Sequence, residues 1–392
     1  MKVSKFLTFL ILFTSPLSGV AIDIFVPSLP AVQSYFHTSV AQVQLLVSGY
    51  VFVAGFIQLI WGTLSDSWGR KHLLLIAAAL FTLASVLAPQ MTSIQGLLAM
   101  RVLQGLGAGG TAVIARAMMP AYYSGKQLKV MTTYYTTAWA IGPIVAPYFG
   151  GYLQHYFGWQ ATFYALAIYS SAVFVFVLFG LREASQQRHP LELRHILNIY
   201  KAVILNPVFL GTGIALGLAF GLVTVFNVMG PFLLQNLLHF TPVQYGRIAL
   251  IMGATWFLGN ICNRYYIQYM SQRKIMLLSI TIGLGFSILM LVFAMMGLFN
   301  VWVIVVPAAL AYYFVAIYFP NGYAVTLTMF PEHAGKVSAL MGALVISVSG
   351  LTSMLASFVT FHNQLPLAMG FVLVTLASLI LFVLLVRRGL PA

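Results

Sequence analysis

Asp23 stands deep in the apolar run 6–27, and among the five Asp and Glu residues of the chain it alone is so placed. The other carboxylates fall near the ends of apolar runs or in the central polar stretch. An ionised carboxylate in hydrocarbon costs several kcal/mol, so it must face a protein interior and find a partner. A carboxyl in such a place can exchange its charge for a proton, which is the chemistry of a proton relay. Arg101, inside the run 95–118, is the expected partner. If the fourth run enters from the same side as the end of the first, the two side chains share a depth. The alternative for Asp23 is a static pair or an interhelical hydrogen bond; for Arg101 it is capping of backbone carbonyls in its own helix.

The second constellation is Gly62-Thr-Leu-Ser-Asp66-Ser-Trp-Gly69-Arg70-Lys71. It reads as a short charged loop between two apolar runs. Asp66 there is placed to sit against the positive N-terminal end of another helix, for which the run beginning near Gly335 is the candidate. Gly62, Asp66, Gly69, Arg70 and Lys71 are therefore assigned to a gate, with lipid phosphate as the simpler explanation for Arg70 and Lys71. Gly142-Pro143, with Pro147 and Gly150-Gly151 following, predicts a bent or flexing helix at a tight seam, because proline removes a backbone hydrogen bond and membrane neighbours re-satisfy it. Gly105-x-Gly107-x-x-Gly110 matches a dinucleotide fingerprint by letter only. It lies within one apolar helix and not in a strand–turn–helix unit, so it reads as helix packing through small residues.

The elements that must hold these groups follow from composition. The 392 residues are 61% hydrophobic and 6% charged, with a mean hydropathy of +0.97. Soluble domains carry about 25% charged residues, so lipid is the expected solvent. Apolar runs at 6–27, 41–62, 73–90, 95–118, 128–154, 159–181, 207–236, 243–268, 275–298, 301–330, 335–360 and 366–387 predict twelve transmembrane helices, each near or above the ~20 residues that a bilayer requires. Phe6–Val26 also resembles a signal peptide, but its continuation into Asp23-x-x-x-Pro27-x-x-Pro30 favours a first membrane helix.

With the N-terminus in the cytoplasm, all of the nineteen Lys and Arg except Arg101 and Arg247 fall in cytoplasmic loops or helix ends, Arg116 among them. That asymmetry predicts both termini on the cytoplasmic side. The net charge of +14 is then a mark of topology, and nucleic acid is not an expected partner. The expected divisions are 1–181, a first six-helix bundle; 182–206, a solvated cytoplasmic linker, although Leu191–Tyr200 could form a surface helix; and 207–392, a second six-helix bundle. Gly259…Asn263-Arg264…Arg273-Lys274 is a degraded echo of Gly62–Lys71, as expected for two repeats with a site between them.

The one cysteine, Cys262, and eight scattered histidines exclude a disulfide framework and offer no metal spacing. Neither a cofactor nor catalysis is expected.

Gly62–Lys71 resembles the loop signature of the major facilitator superfamily. Asp23-x-x-x-Pro27-x-x-Pro30, Gln44, Gly55-x-x-Gln58-Leu59-x-x-Gly62, Arg101-Val-Leu-Gln104-Gly105, and Pro320-Asn321 with Pro331-Glu-x-Ala334-Gly335-x-x-Ser338-Ala339-Leu340-x-Gly342 are similar to the Bcr/CflA-type drug:proton antiporters of multidrug efflux. The resemblance implies an all-α fold, export of small drug-like compounds against protons by alternating access, Asp23 as coupling acid and Arg101 as a buried base. It also implies a bacterial inner-membrane location and Asp66 and Arg70 as gating groups. Departures fall at Ser67-Trp68, at Met118-Met119 after Arg116-Ala117, and at Lys336-Val337. Tyr50, Tyr135, Trp139, Asn227 and Tyr318 are the candidate cavity-lining groups, and aromatic walls suit an apolar planar compound. The expected partners are this small molecule, protons and lipid, and the expected state is a monomer. Two rival readings are a dedicated metabolite or siderophore transporter and a non-transporting membrane receptor.

Overall fold

The computed structural model describes residues 5–181, 193–330 and 334–385, and among them the chain is helical throughout, with no strand. The first span is not one helix. It runs as α1 (Lys5–Thr14), α2 (Leu17–Asp23), a 3-10 turn (Val26–Ser28) and α3 (Leu29–Phe36). Pro16, Pro27 and Pro30 lack the amide hydrogen that a continuous helix would use, and Asp23 therefore sits at a helix end inside the bundle. The span packs against α7, α8 and α9.

Next come α4 (Val40–Phe56) and α5 (Gln58–Trp68), a single span interrupted at Ile57, and α6 (Arg70–Leu87). The expected charged loop over 62–71 is in fact helix on both sides of one residue. Gly69 alone makes the turn, at φ 98°, a conformation that costs a Cβ-bearing residue strain. Then follow α7 (Ile94–Tyr122), α8 (Gly125–Phe157), α9 (Gln160–Gly180) and α10 (Leu193–Ile204). Residues 193–204, expected as part of a solvated linker, are an amphipathic helix whose Ile199 and Val203 are buried, one helical turn apart, against α11 and α15. The remainder of the expected linker, 182–192, lies outside the described residues, as do both chain ends.

The second half holds α11 (Pro207–Pro231) continued by a π-helical turn (Phe232–Leu237), α12 (Pro242–Tyr269), α13 (Gln272–Met295), α14 (Val301–Met329), α15 (Ala334–Ala356) and α16 (Leu365–Leu384). Among the described residues, ten spans are long and apolar enough to cross a membrane. The expected twelve are reached only with α8 and α12, which are 33 and 28 residues long but less apolar.

Those two helices pack on each other, and α4 packs on α15. These are the two main seams between the elements before and after α10. Missing side chains close them. A Cβ on Gly151 would lie 2.4 Å from Pro242 O, and one on Gly246 would lie 2.7 Å from Pro147 O. On the other seam, a Cβ on Gly55 would lie 2.6 Å from Ser347 N. Pro143 and Pro147 stay within α8, which is unbroken. The Gly105–Gly110 stretch lies inside α7, where Gly107 meets Ala77 of α6 and Gly109 meets Ala54 of α4, as the small-residue packing reading requires.

Candidate functional site

Asp23 ends α2 and is 7% exposed. Its Oδ1 accepts from Nδ2 of Asn227, on α11, at 2.9 Å. Two further side chains cross between the same sets of elements nearby. Gln44 Nε2 donates to Val228 O at 2.8 Å, and Gln235 Nε2 donates to Pro27 O at 3.0 Å. The three bonds join the α2–α4 region to α11 and its π-helical extension. This is also the end where Gly151 meets Pro242.

Arg101 is fully buried, but it is not the partner of Asp23, and no ion pair joins the two. Its Nε donates to Leu46 O at 2.9 Å, and Nη1 donates to Ala21 O at 3.2 Å and to Gln104 Oε1 at 2.9 Å. The guanidinium carbon lies 4.4 Å from the ring centre of Tyr50 and 4.9 Å from that of Phe25, a cation–π arrangement. The physical reason is the break in the first span. It leaves the α2 carbonyl of Ala21 for Arg101 and places the carboxylate against α11. Nor does Arg101 cap its own helix: both carbonyls belong to neighbours, α2 and α4. Nη2 has no partner among the described residues.

An open-mouthed cavity of about 130 Å³ lies between the two seams, and Asp23, Tyr50, Trp139, Pro143 and Asn227 line it. Tyr135 does not. It is buried, donates to Ala112 O at 3.2 Å, and lies beside Arg116. Tyr318 is not on the wall either; it is enclosed between α14 and α16, with its ring 6.2 Å from that of Phe382. Tyrosines in apolar runs more often fill a core than face a cavity.

Among the lining residues that escaped the sequence reading are Gln58, Arg116, Trp256 and Tyr312. Arg116 was assigned to a loop because it stands at the end of an apolar run. The helix continues to Tyr122, so Arg116 is internal to α7. Its position about four turns beyond Arg101 on the same helix was the missed signal. Trp256 packs with Phe220 and Tyr312, at ring distances of 5.7 Å and 6.3 Å, and forms an aromatic wall.

Of the expected gate, Gly62 lies inside α5 against Val113 of α7. Lys71 Nζ donates to Leu178 O at 2.9 Å; it thus satisfies a carbonyl in the last turn of α9, where a cation is favoured. Arg70 opens α6. The Asp66 side chain and the segment 331–333 before α15 lie outside the described residues, and with them the expected contact near Gly335. Gly142 admits Pro16 and Val20, each 2.9 Å from a Cβ placed there. In the echo of this loop, Asn321 Nδ2 donates to Asn263 Oδ1 at 2.8 Å and Gln272 Nε2 donates to Asn321 O at 2.7 Å, an uncharged counterpart. Among the described residues no three His, Cys, Asp or Glu side chains gather as for a metal.

The profile of the family described as Major Facilitator Superfamily matches residues 11–306. A bicyclomycin resistance protein homolog of Haemophilus influenzae is 23% identical over 395 residues, covering 98% of both chains. Multidrug resistance protein D of Escherichia coli is 26% identical over 370 residues, covering 91% of this chain and 89% of its own. Among solved structures, a D-xylose–proton symporter superposes with a TM-score of 0.76 at 14% identity, covering 99% of each chain.

Proposed function

The chain belongs to the Major Facilitator Superfamily, and from that premise we propose that it exports small amphipathic, drug-like compounds from the cytoplasm of a bacterial cell in exchange for protons. Full-length similarity to proteins named for bicyclomycin and multidrug resistance supports the substrate class. The Lys and Arg asymmetry supports an inner-membrane orientation with both termini in the cytoplasm and places the Asp23 end on the outer side. The six-plus-six division then supplies two bodies that rock about the cavity, each carrier working as a monomer in lipid without a resident cofactor.

The carrying observation is the Asp23–Asn227 bond: among the described residues, the one acid on the cavity wall is tied across the seam. A hydrogen bond to an ionised group is about twice as strong as a neutral one. Ionised Asp23 therefore holds the empty carrier shut on the outer side. A compound in the cavity competes for Asp23 or Asn227 and releases the hold. Once the outer side opens, a proton takes the carboxylate, the compound leaves, and the neutral acid allows return. Each proton moving down 100 mV supplies ~2.3 kcal/mol, enough for about a forty-fold gradient in a one-for-one exchange of a neutral compound.

Everted vesicles containing a pH-sensitive dye test this. Adding a transported compound should release protons from acid-loaded vesicles, and Asp23→Asn should abolish the release while the protein remains in the membrane. Wild-type proton flux in Asp23→Asn would overturn the scheme.

A further inference from the structure

Asp23 and Arg116 are the two charged side chains on the described wall of the cavity. The first is engaged by Asn227. Among the described residues no carboxylate pairs with the second. The Arg116 guanidinium lies beside the Tyr135 hydroxyl, whose own proton goes to Ala112 O. Across the seam, on α15, Gly342 leaves room. A Cβ there would lie 2.8 Å from Arg116 Nη1 and 3.5 Å from both Gln58 Oε1 and the Tyr323 hydroxyl. A guanidinium, an amide and a phenol thus converge on one bare stretch of backbone. Gln58 is 5% exposed; its Nε2 donates to Ala54 O at 3.1 Å, and its Oε1 accepts from no described group.

A half-buried cation that meets only dipoles among the described residues is poorly compensated, and an unsatisfied buried acceptor beside it carries its own cost. A ligand bearing an anion and a neighbouring N–H or O–H group would relieve both. Arginine is suited to this, because its planar fork takes a carboxylate through two parallel bonds. The step from Tyr50 to Gln58 along one span is eight residues, or about 12 Å at 1.5 Å per residue, so the basic pole stands well apart from the acidic one. Trp139 and Trp256 line the same cavity.

Building on the export reading above, we propose that Arg116 is an anion-binding subsite, and that the exported compounds are amphipathic organic acids. The carboxylate lies on Arg116, an adjacent donor faces Gln58 Oε1, and the apolar body lies against the tryptophans. Arg116 recognises the compound and Asp23 handles the proton, so the two charges have separate tasks.

The test uses the purified full-length protein and two probes that differ in one group, 1-pyrenebutyrate and 1-pyrenebutanamide. Energy transfer from tryptophan to pyrene reads binding. The wild type should bind the carboxylate at least ten-fold more tightly than the amide. Arg116→Gln should bring the ratio to within two-fold, and Arg116→Lys should keep about five-fold. Gly342→Ala, which crowds Nη1, should weaken the carboxylate and leave the amide unchanged. Equal affinities in the wild type overturn the proposal even if Arg116→Gln does not fold, and so does a preference that survives Arg116→Gln. Binding needs no proton flux, so the two readings fail separately. Flux that Asp23→Asn abolishes, with equal probe affinities, removes this inference alone. Carboxylate preference without flux removes the export scheme and leaves the anion site.

Discussion

Two buried charges in the first half of the chain find neutral partners, and the difference between those partners separates their roles. Arg101 is held by two backbone carbonyls, a glutamine and two aromatic faces within its own half. It joins α2, α4 and α7 and does not bridge the seam. Arg101→Lys cannot reproduce the fork, and each stranded buried acceptor costs ~1–3 kcal/mol. The expected outcome is a clear fall in melting temperature of the purified protein, with wild-type proton coupling in whatever fraction folds; coupling lost at unchanged stability would contradict it. Asn227 has the opposite profile. Asn227→Ala removes the hold on Asp23 across the seam, and a bond to a charged group is worth ~1.5–3 kcal/mol. The empty carrier should then leak protons about ten-fold faster, at 1.4 kcal/mol per decade. Dye-loaded proteoliposomes without added compound measure this, and a leak equal to wild type would show that the bond holds nothing shut.

At the scale of helices, the outer part of the α8–α12 seam depends on the absence of side chains. Gly151, Gly246 and Gly253 each bring backbone to backbone, with would-be Cβ atoms 2.4, 2.7 and 2.9 Å from Pro242 O, Pro147 O and Ile144 Cα. The clash is with main chain, which cannot rotate away. Gly246→Val should therefore push the two helices apart at that end while the rest of the contact persists. With Cys262→Ser as background and a single cysteine at Leu238, the rate of alkylation by a membrane-impermeant maleimide should rise several-fold, and an unchanged rate would show that the seam yields elsewhere. Toward the other end, Thr132, Thr133, Tyr134 and Thr136 of α8 are exposed, so the helix parts from its neighbours there. Small residues could be read from the sequence as packing devices, but their partners could not. Gly142 and Gly150 serve the first span, whereas Gly151 serves α12.

At the scale of the molecule, the three side-chain bonds at the Asp23 end and the cavity beyond them describe a carrier closed on one side. Cysteines at Gln44 and Val228, whose native groups meet at 2.8 Å, should cross-link readily with a short bifunctional reagent. Export should then stop and recover on reduction of a cleavable linker; transport that continues while cross-linked would rule out opening at that end. The sequence by itself determined that the chain lives in lipid, where its spans fall, that Asp23 must be enclosed, and which family the chain resembles. It could do so because hydropathy and charge act locally along a chain in a bilayer. Only the tertiary structure decided that Asp23 meets Asn227 and not Arg101, that Arg116 faces the cavity and not a loop, and that Tyr135 and Tyr318 do not line it. These are matters of helix rotation and of a break near Asp23. They are set by packing among residues up to about two hundred positions apart, as in the Asp23–Asn227 pair with its separation of 204, and no local pattern in the sequence encodes them.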